Sequence, residues 1–104
     1  MRLALILACV ASPVIAYENA NKTALALGTV LGSEVACGLD LDTAAVQAFV
    51  AERVDPAEMN FASSLDLMAQ GTAVQVEAMT DAAKAAHCEA VTASAKHYRL
   101  MKQP

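Results

Sequence analysis

The sequence predicts an all-α protein, a small up-and-down four-helix bundle with one disulfide, following an N-terminal signal peptide. Three observations predict it. Apolar residues recur at steps of three and four, no stretch alternates with a period of two, and short turn-forming segments separate four periodic runs.

Residues 1–16 read as a secretory signal. Arg2 follows the initiator Met1, Leu3 opens an apolar run that continues to Ala11, Pro13 breaks it, and Val14 and Ala16 occupy the −3 and −1 positions of a cleavage site. The run of about nine residues is too short to cross a bilayer, which needs roughly 20 apolar residues. Lipid attachment at Cys9 is the rival reading. It would leave about six apolar residues before the cysteine and would leave the site at Ala16 unused. Residues 17–104 are then expected to form a single helical domain without a transmembrane segment.

Residues 17–22 are polar and expected to fray. Asn21-Lys22-Thr23 matches a glycosylation sequon, expected to be inert behind a bacterial-type signal. Thr23 is the expected cap of a first helix over residues 23–37, with Leu27, Leu31 and Val35 as its apolar stripe. The small residues Ala24, Gly28, Gly32 and Ala36 form a second stripe that admits a close neighbour. That face suits a homodimer or tight packing inside one bundle. Internal packing is favoured because the helix must bury something. Gly38 ends the helix.

Asp40 or Asp42 caps a second helix over residues 43–54, with Val46, Phe49, Val50 and Val54 on one face. Asp55-Pro56-Ala57-Glu58 combines a cap residue, a proline and a carboxylate in the order of a helix start. The third helix carries Phe61, Leu65, Met68, Thr72, Val76 and Met79. It is expected to continue through Gly71 to about Ala78. Thr80 caps a fourth helix over residues 81–99, whose inward stripe is Cys88, Val91, Ala95 and Tyr98. The tail from Leu100 to Pro104 is expected to fray.

Loss of Cys9 with the signal leaves Cys37 and Cys88, which in an oxidising compartment most simply pair and pin the first helix to the fourth. A loop of about 50 residues closed this way adds on the order of 4 kcal/mol. With Arg2 also removed, six Lys and Arg stand against 11 Asp and Glu, a net charge of −5. That balance argues against nucleic acid and against an anionic membrane surface. With no Trp, two Phe and two Tyr, the core must be built from Ala, Val, Leu and Met.

Nucleophilic catalysis needs a nucleophile, a base and an orienting group. The two histidines, His87 and His97, share a helix face about 15 Å apart along the axis. Ser63, Ser64 and Ser94 have no arranged partner. No enzyme activity and no cofactor is therefore expected. A soft-metal site could draw on His87, Met79 and His97, since thioether and imidazole suit copper(I). Methionine at helical spacing is more often core filler. At pH 2–3 the carboxylates neutralise and the chain carries about +9, enough to loosen a marginal fold that the disulfide still holds together.

Two cysteines about fifty residues apart on short helices, behind a signal peptide, are similar to the HdeA-like periplasmic acid-stress chaperones, with Cys37 and Cys88 as the matching residues. The words Val35-Ala36-Cys37-Gly38-Leu39, Met68-Ala69-Gln70-Gly71 and Lys84-Ala85-Ala86-His87-Cys88 resemble a group of small exported alphaproteobacterial proteins. Some of these are carried under a "signal recognition particle" name. No phosphate-binding glycine loop or basic RNA-binding surface here supports that name. The export signal, the single bridge and the missing catalytic set lead to the expectation of a non-enzymatic periplasmic or secreted helical protein that binds other periplasmic proteins, with envelope or acid stress as the setting. A periplasmic copper-binding protein, and a small inhibitor or subunit of an exported complex, are the alternatives.

Overall fold

The computed structural model describes residues 17–104, and the expected signal segment lies outside them. Four helices follow one another: α1 (Ala20–Cys37), α2 (Thr43–Arg53), α3 (Phe61–Glu77) and α4 (Asp81–His97). Among the described residues the only strand-like pairing is one antiparallel bridge, Leu41 to Met101.

α1 begins four residues earlier than the Thr23 cap predicts, with Asn19 as its cap. Asn19 Oδ1 accepts the backbone N–H groups of Asn21 (2.9 Å) and Lys22 (3.3 Å), and an Asn cap satisfies these donors at least as well as Thr. Thr23 is instead buried inside the helix, donating its hydroxyl to Glu18. Nor does the segment before α1 fray, because the Glu18 N–H donates to the Arg53 carbonyl at 3.0 Å.

The inward face of α1 runs through Ala24, Leu27, Val30 and Ser33. Val35, expected on the core stripe, is 95% exposed. The reason is geometric. A step of four residues advances 400° around a helix, so a strict four-residue stripe drifts 40° per step and leaves the core within three steps. Gly28 and Gly32 face α3. A Cβ on Gly28 would lie 2.8 Å from the Met68 Cβ, and one on Gly32 would meet the Ala69 carbonyl oxygen and, at 2.7 Å, the Thr72 Cβ. The partners advance in the same direction along both helices, so α1 and α3 run parallel, as first and third helices of an up-and-down bundle must.

Asp42 is the cap of α2, its carboxylate accepting from Ala44 (2.9 Å) and Ala45 (3.4 Å). α2 approaches the other helices chiefly through side chains, with Phe49 and Val54 buried and Val46 and Val50 packed against them. Asp55-Pro56-Ala57-Glu58 does not start a helix. Asp55 caps a single turn, accepting from the Ala57 N–H at 2.9 Å, while its carbonyl accepts from Glu58 at 2.9 Å. The cap signal is satisfied within that turn, and the chain then re-aims so that Val54 before it and Phe61 after it both reach the core. α3 is continuous through Gly71.

Thr80 caps α4 as expected, with its oxygen 3.3 Å from the Ala83 N–H. The tail does not fray, contrary to expectation. Arg99 adopts a left-handed conformation (φ 57°), and the Leu100 N–H returns to the Ala95 carbonyl at 2.9 Å. The same geometry closes α1, where Gly38 (φ 63°) precedes a Leu39 N–H bonded to Glu34 at 2.9 Å. In both ends the residue after the left-handed one is a buried leucine. Leu100 is 1% exposed. Beyond it, Asp42 N–H donates to Leu100 O and Lys102 N–H to Asp40 O, both at 2.8 Å.

Two glycine substitutions should behave oppositely. Gly32→Ala forces a methyl into α3 and should lower stability by about 1–3 kcal/mol. Gly71→Ala, where nothing lies within 4 Å, should raise it by roughly 0.5–1 kcal/mol. Urea denaturation of the two variants measures both; a shift of the same sign in each would contradict the packing described.

Candidate functional site

Cys37 and Cys88 form a disulfide, joining the end of α1 to the middle of α4 with their Cα atoms 5.2 Å apart. One turn earlier on α1, Ser33 lies fully buried. Its Oγ is 2.7 Å from the Thr29 carbonyl and 2.8 Å from Nε2 of His87, the residue next to Cys88. A hydroxyl has one proton. With that proton directed at Thr29, the His87 contact is an Nε2–H donating to the serine oxygen. Sequence reasoning missed Ser33, although a signal existed: a serine one turn before one cysteine, and a histidine beside the other.

A serine within 3 Å of a histidine invites comparison with a nucleophile and its base. Here the hydroxyl is sealed from solvent, its proton is turned away from the ring, and no third group is bonded to His87 among the described residues. The pair therefore acts as a polar tie between α1 and α4, beside the covalent one.

The residues considered for soft-metal binding sit in different local settings. His87 is engaged by Ser33 and Cys88 by its bridge. Met79 lies half-buried in the turn between α3 and α4, its N–H bonded to Val76. His97 ends α4 on the surface, its ring packed edge-on against Tyr98 with centroids 5.1 Å apart. Among the described residues no group of three His, Cys, Asp or Glu side chains that could hold a metal ion is found.

The proposed dimer face is occupied from within: Ala24 is buried, and Gly28 and Gly32 are covered by α3. Apolar surface lies elsewhere. Leu67 and Val74 on α3 are 72% and 70% exposed, two turns apart, with exposed Gly71 between them; Met59 in the α2–α3 turn is 87% exposed. Leu67, Gly71 and Val74 fall at i, i+4 and i+7, so they form one uncharged stripe.

Cavities on the surface of the described residues accompany this. One of about 330 Å³ lies between α2 and the end of α4, where the Arg53 guanidinium sits 4.1 Å over the Phe49 ring and 5.6 Å over Tyr98. Arg53 also reaches Glu18 at 3.7 Å and Glu52 at 3.6 Å. Arg99 shares that wall with Arg53, so two cationic side chains gather where α2 and α4 present their partly negative C-terminal ends. A second, of about 430 Å³, lies beside Cys88 on the outer side of α4. A third, about 510 Å³ and largely apolar, opens between the end of α2 and the start of α3.

No helix among the described residues is long and apolar enough to cross a membrane. Compared with protein-family models, with curated proteins and with solved structures, the chain matches none of them.

Replacing both cysteines by serine should remove on the order of 4 kcal/mol, the loop-closure contribution for a 51-residue separation. Chemical denaturation reads the loss. Mass spectrometry after alkylation should add no label at either cysteine before reduction and two labels after it. Labelling at both positions without reductant would contradict the bridge.

Proposed function

We propose that this is a non-enzymatic exported helical protein that binds other proteins through exposed apolar surface, acting in envelope or acid stress. The observation that carries the reading is the uncharged stripe of Leu67, Gly71 and Val74 together with the exposed Met59. Single exposed apolar residues are ordinary, but adjoining ones on a rigid helix face mark interaction surface. The frame supports the same reading. The disulfide keeps α1 and α4 joined whatever happens to the packing around them, so the chain can loosen under acid without unravelling. An oxidised pair of cysteines is also what an exported protein is expected to carry.

The chemistry of the described residues favours binding over catalysis, since the one serine–histidine contact is buried and committed to structure. Acid would act on the protein as a whole. As its 11 carboxylates are neutralised, the net charge turns from negative to strongly positive and self-repulsion opens the apolar faces.

A client protein that aggregates at pH 2–3 should stay soluble in the presence of an equimolar amount of this protein, as followed by light scattering. Leu67→Ser with Val74→Ser should weaken that protection severalfold. Absence of protection by the parent at equimolar amounts removes the acid-stress reading.

A further inference from the structure

We infer that the groove between α2 and α3 is a docking site for a cationic amphipathic segment of another protein, one carrying apolar side chains flanked by Lys or Arg. The inference deepens the protein-binding reading, and rests on it, by naming the partner's chemistry.

The groove has an apolar floor. Val50 and Val54 from the end of α2 and Phe61 from the start of α3 line it, with Met59 standing almost fully exposed at its edge. Its volume of about 510 Å³ falls within the range in which clefts hold ligands. The unbranched thioether of Met59 can fold over whatever enters, which is how methionine serves adaptable binding surfaces.

The rim decides the partner. The charged residues on the groove wall are Asp55 and Glu58, both acidic. No basic group answers them from nearby sequence: between Lys22 and Lys84 the chain contains nine carboxylates and a single cation, Arg53. That arginine is held on the opposite side of α2, stacked on Phe49 and paired with Glu18 and Glu52. The groove thus presents apolar surface beside two carboxylates, with no basic side chain on its wall. An acidic or neutral apolar segment would find no charge complement there. An extended or helical segment with Lys or Arg beside its apolar residues would place the latter on Val50, Val54 and Phe61. Its cations would then lie beside Asp55 and Glu58, an arrangement that raises both affinity and the rate of encounter.

The test uses the disulfide-bonded protein at pH 7 and a fluorescent synthetic peptide of Leu and Lys patterned as an amphipathic helix. A matched peptide with Glu in place of Lys serves as the control. Anisotropy should show binding of the Lys peptide at least roughly tenfold tighter than the Glu peptide, and weakening as salt rises. Met59→Ser and Glu58→Lys, both at exposed positions, should each weaken it by roughly fivefold or more. Val35→Ser, exposed on α1 and absent from the groove wall, should leave it unchanged. Equal affinity for the two peptides, no binding of either, or a loss with Val35→Ser as large as with Met59→Ser overturns the inference. If the acid aggregation assay still shows protection in such a case, the groove assignment falls while the protein-binding reading stands. If both assays fail, both fall.

Discussion

Two glycines one turn apart on α1 let the backbone of α3 come so close that a methyl at Gly32 would overlap the Ala69 carbonyl oxygen. In a chain with no tryptophan and two phenylalanines, this closeness replaces bulk. Small side chains remove little apolar area each, so the core gains its contacts by bringing main chains together, where dispersion between many atom pairs accumulates. Once α1 and α3 lie side by side and parallel, α2 must run between their ends. α4 is left to close on α1, where the sulfur bridge and the Ser33–His87 contact fasten it. The side chains of α2, the two buried C-terminal leucines and the tail then complete the core around that axis.

Much of this was legible in the residues. The small-residue stripe on the first helix, the Asp42 and Thr80 caps, the inward stripe on the third helix and the pairing of Cys37 with Cys88 all follow from spacing and compartment, and the structure has each of them. Among the features that were not legible, three show why. Val35 was placed by counting in fours, which ignores the drift of a 3.6-residue turn. Asp55-Pro56 carries a real local cap, but one hydrogen-bonded turn satisfies it, and only the need to bury both Val54 and Phe61 decides that the helix starts later. The tail looked free because a terminus of mixed polarity usually is. What anchors it is a left-handed Arg99 in the position more often given to glycine, together with a bridge to a residue 60 positions away, Leu41 to Met101. Non-local pairing of that kind leaves no periodic trace.

The candidate site was less legible than the fold. Cys37 and Cys88 announced themselves, whereas Ser33 and the groove at the α2–α3 turn depend on which faces meet. Charge shows the same division. Net charge is a sum that can be read from composition, but its unevenness is a property of the folded surface. Arg53 illustrates this: as a letter it offsets a carboxylate in the middle of the chain, while as a side chain it is drawn across α2 onto two aromatic rings. The apolar floor of the groove is left among carboxylates as a result.

The covalent link between Cys37 and Cys88 encloses α2, α3 and the first half of α4 in a ring of peptide. A ring responds to cutting differently from a line. A peptidase that opened one bond in the exposed turn after α2 would produce two polypeptides still held as one molecule, with α1 and α4 bound across the sulfurs and α2 fixed by the tail pairing at its beginning. The segment most open to attack is therefore also one whose scission leaves the particle whole, so loss of an intact chain on a reducing gel would not mean loss of the folded body.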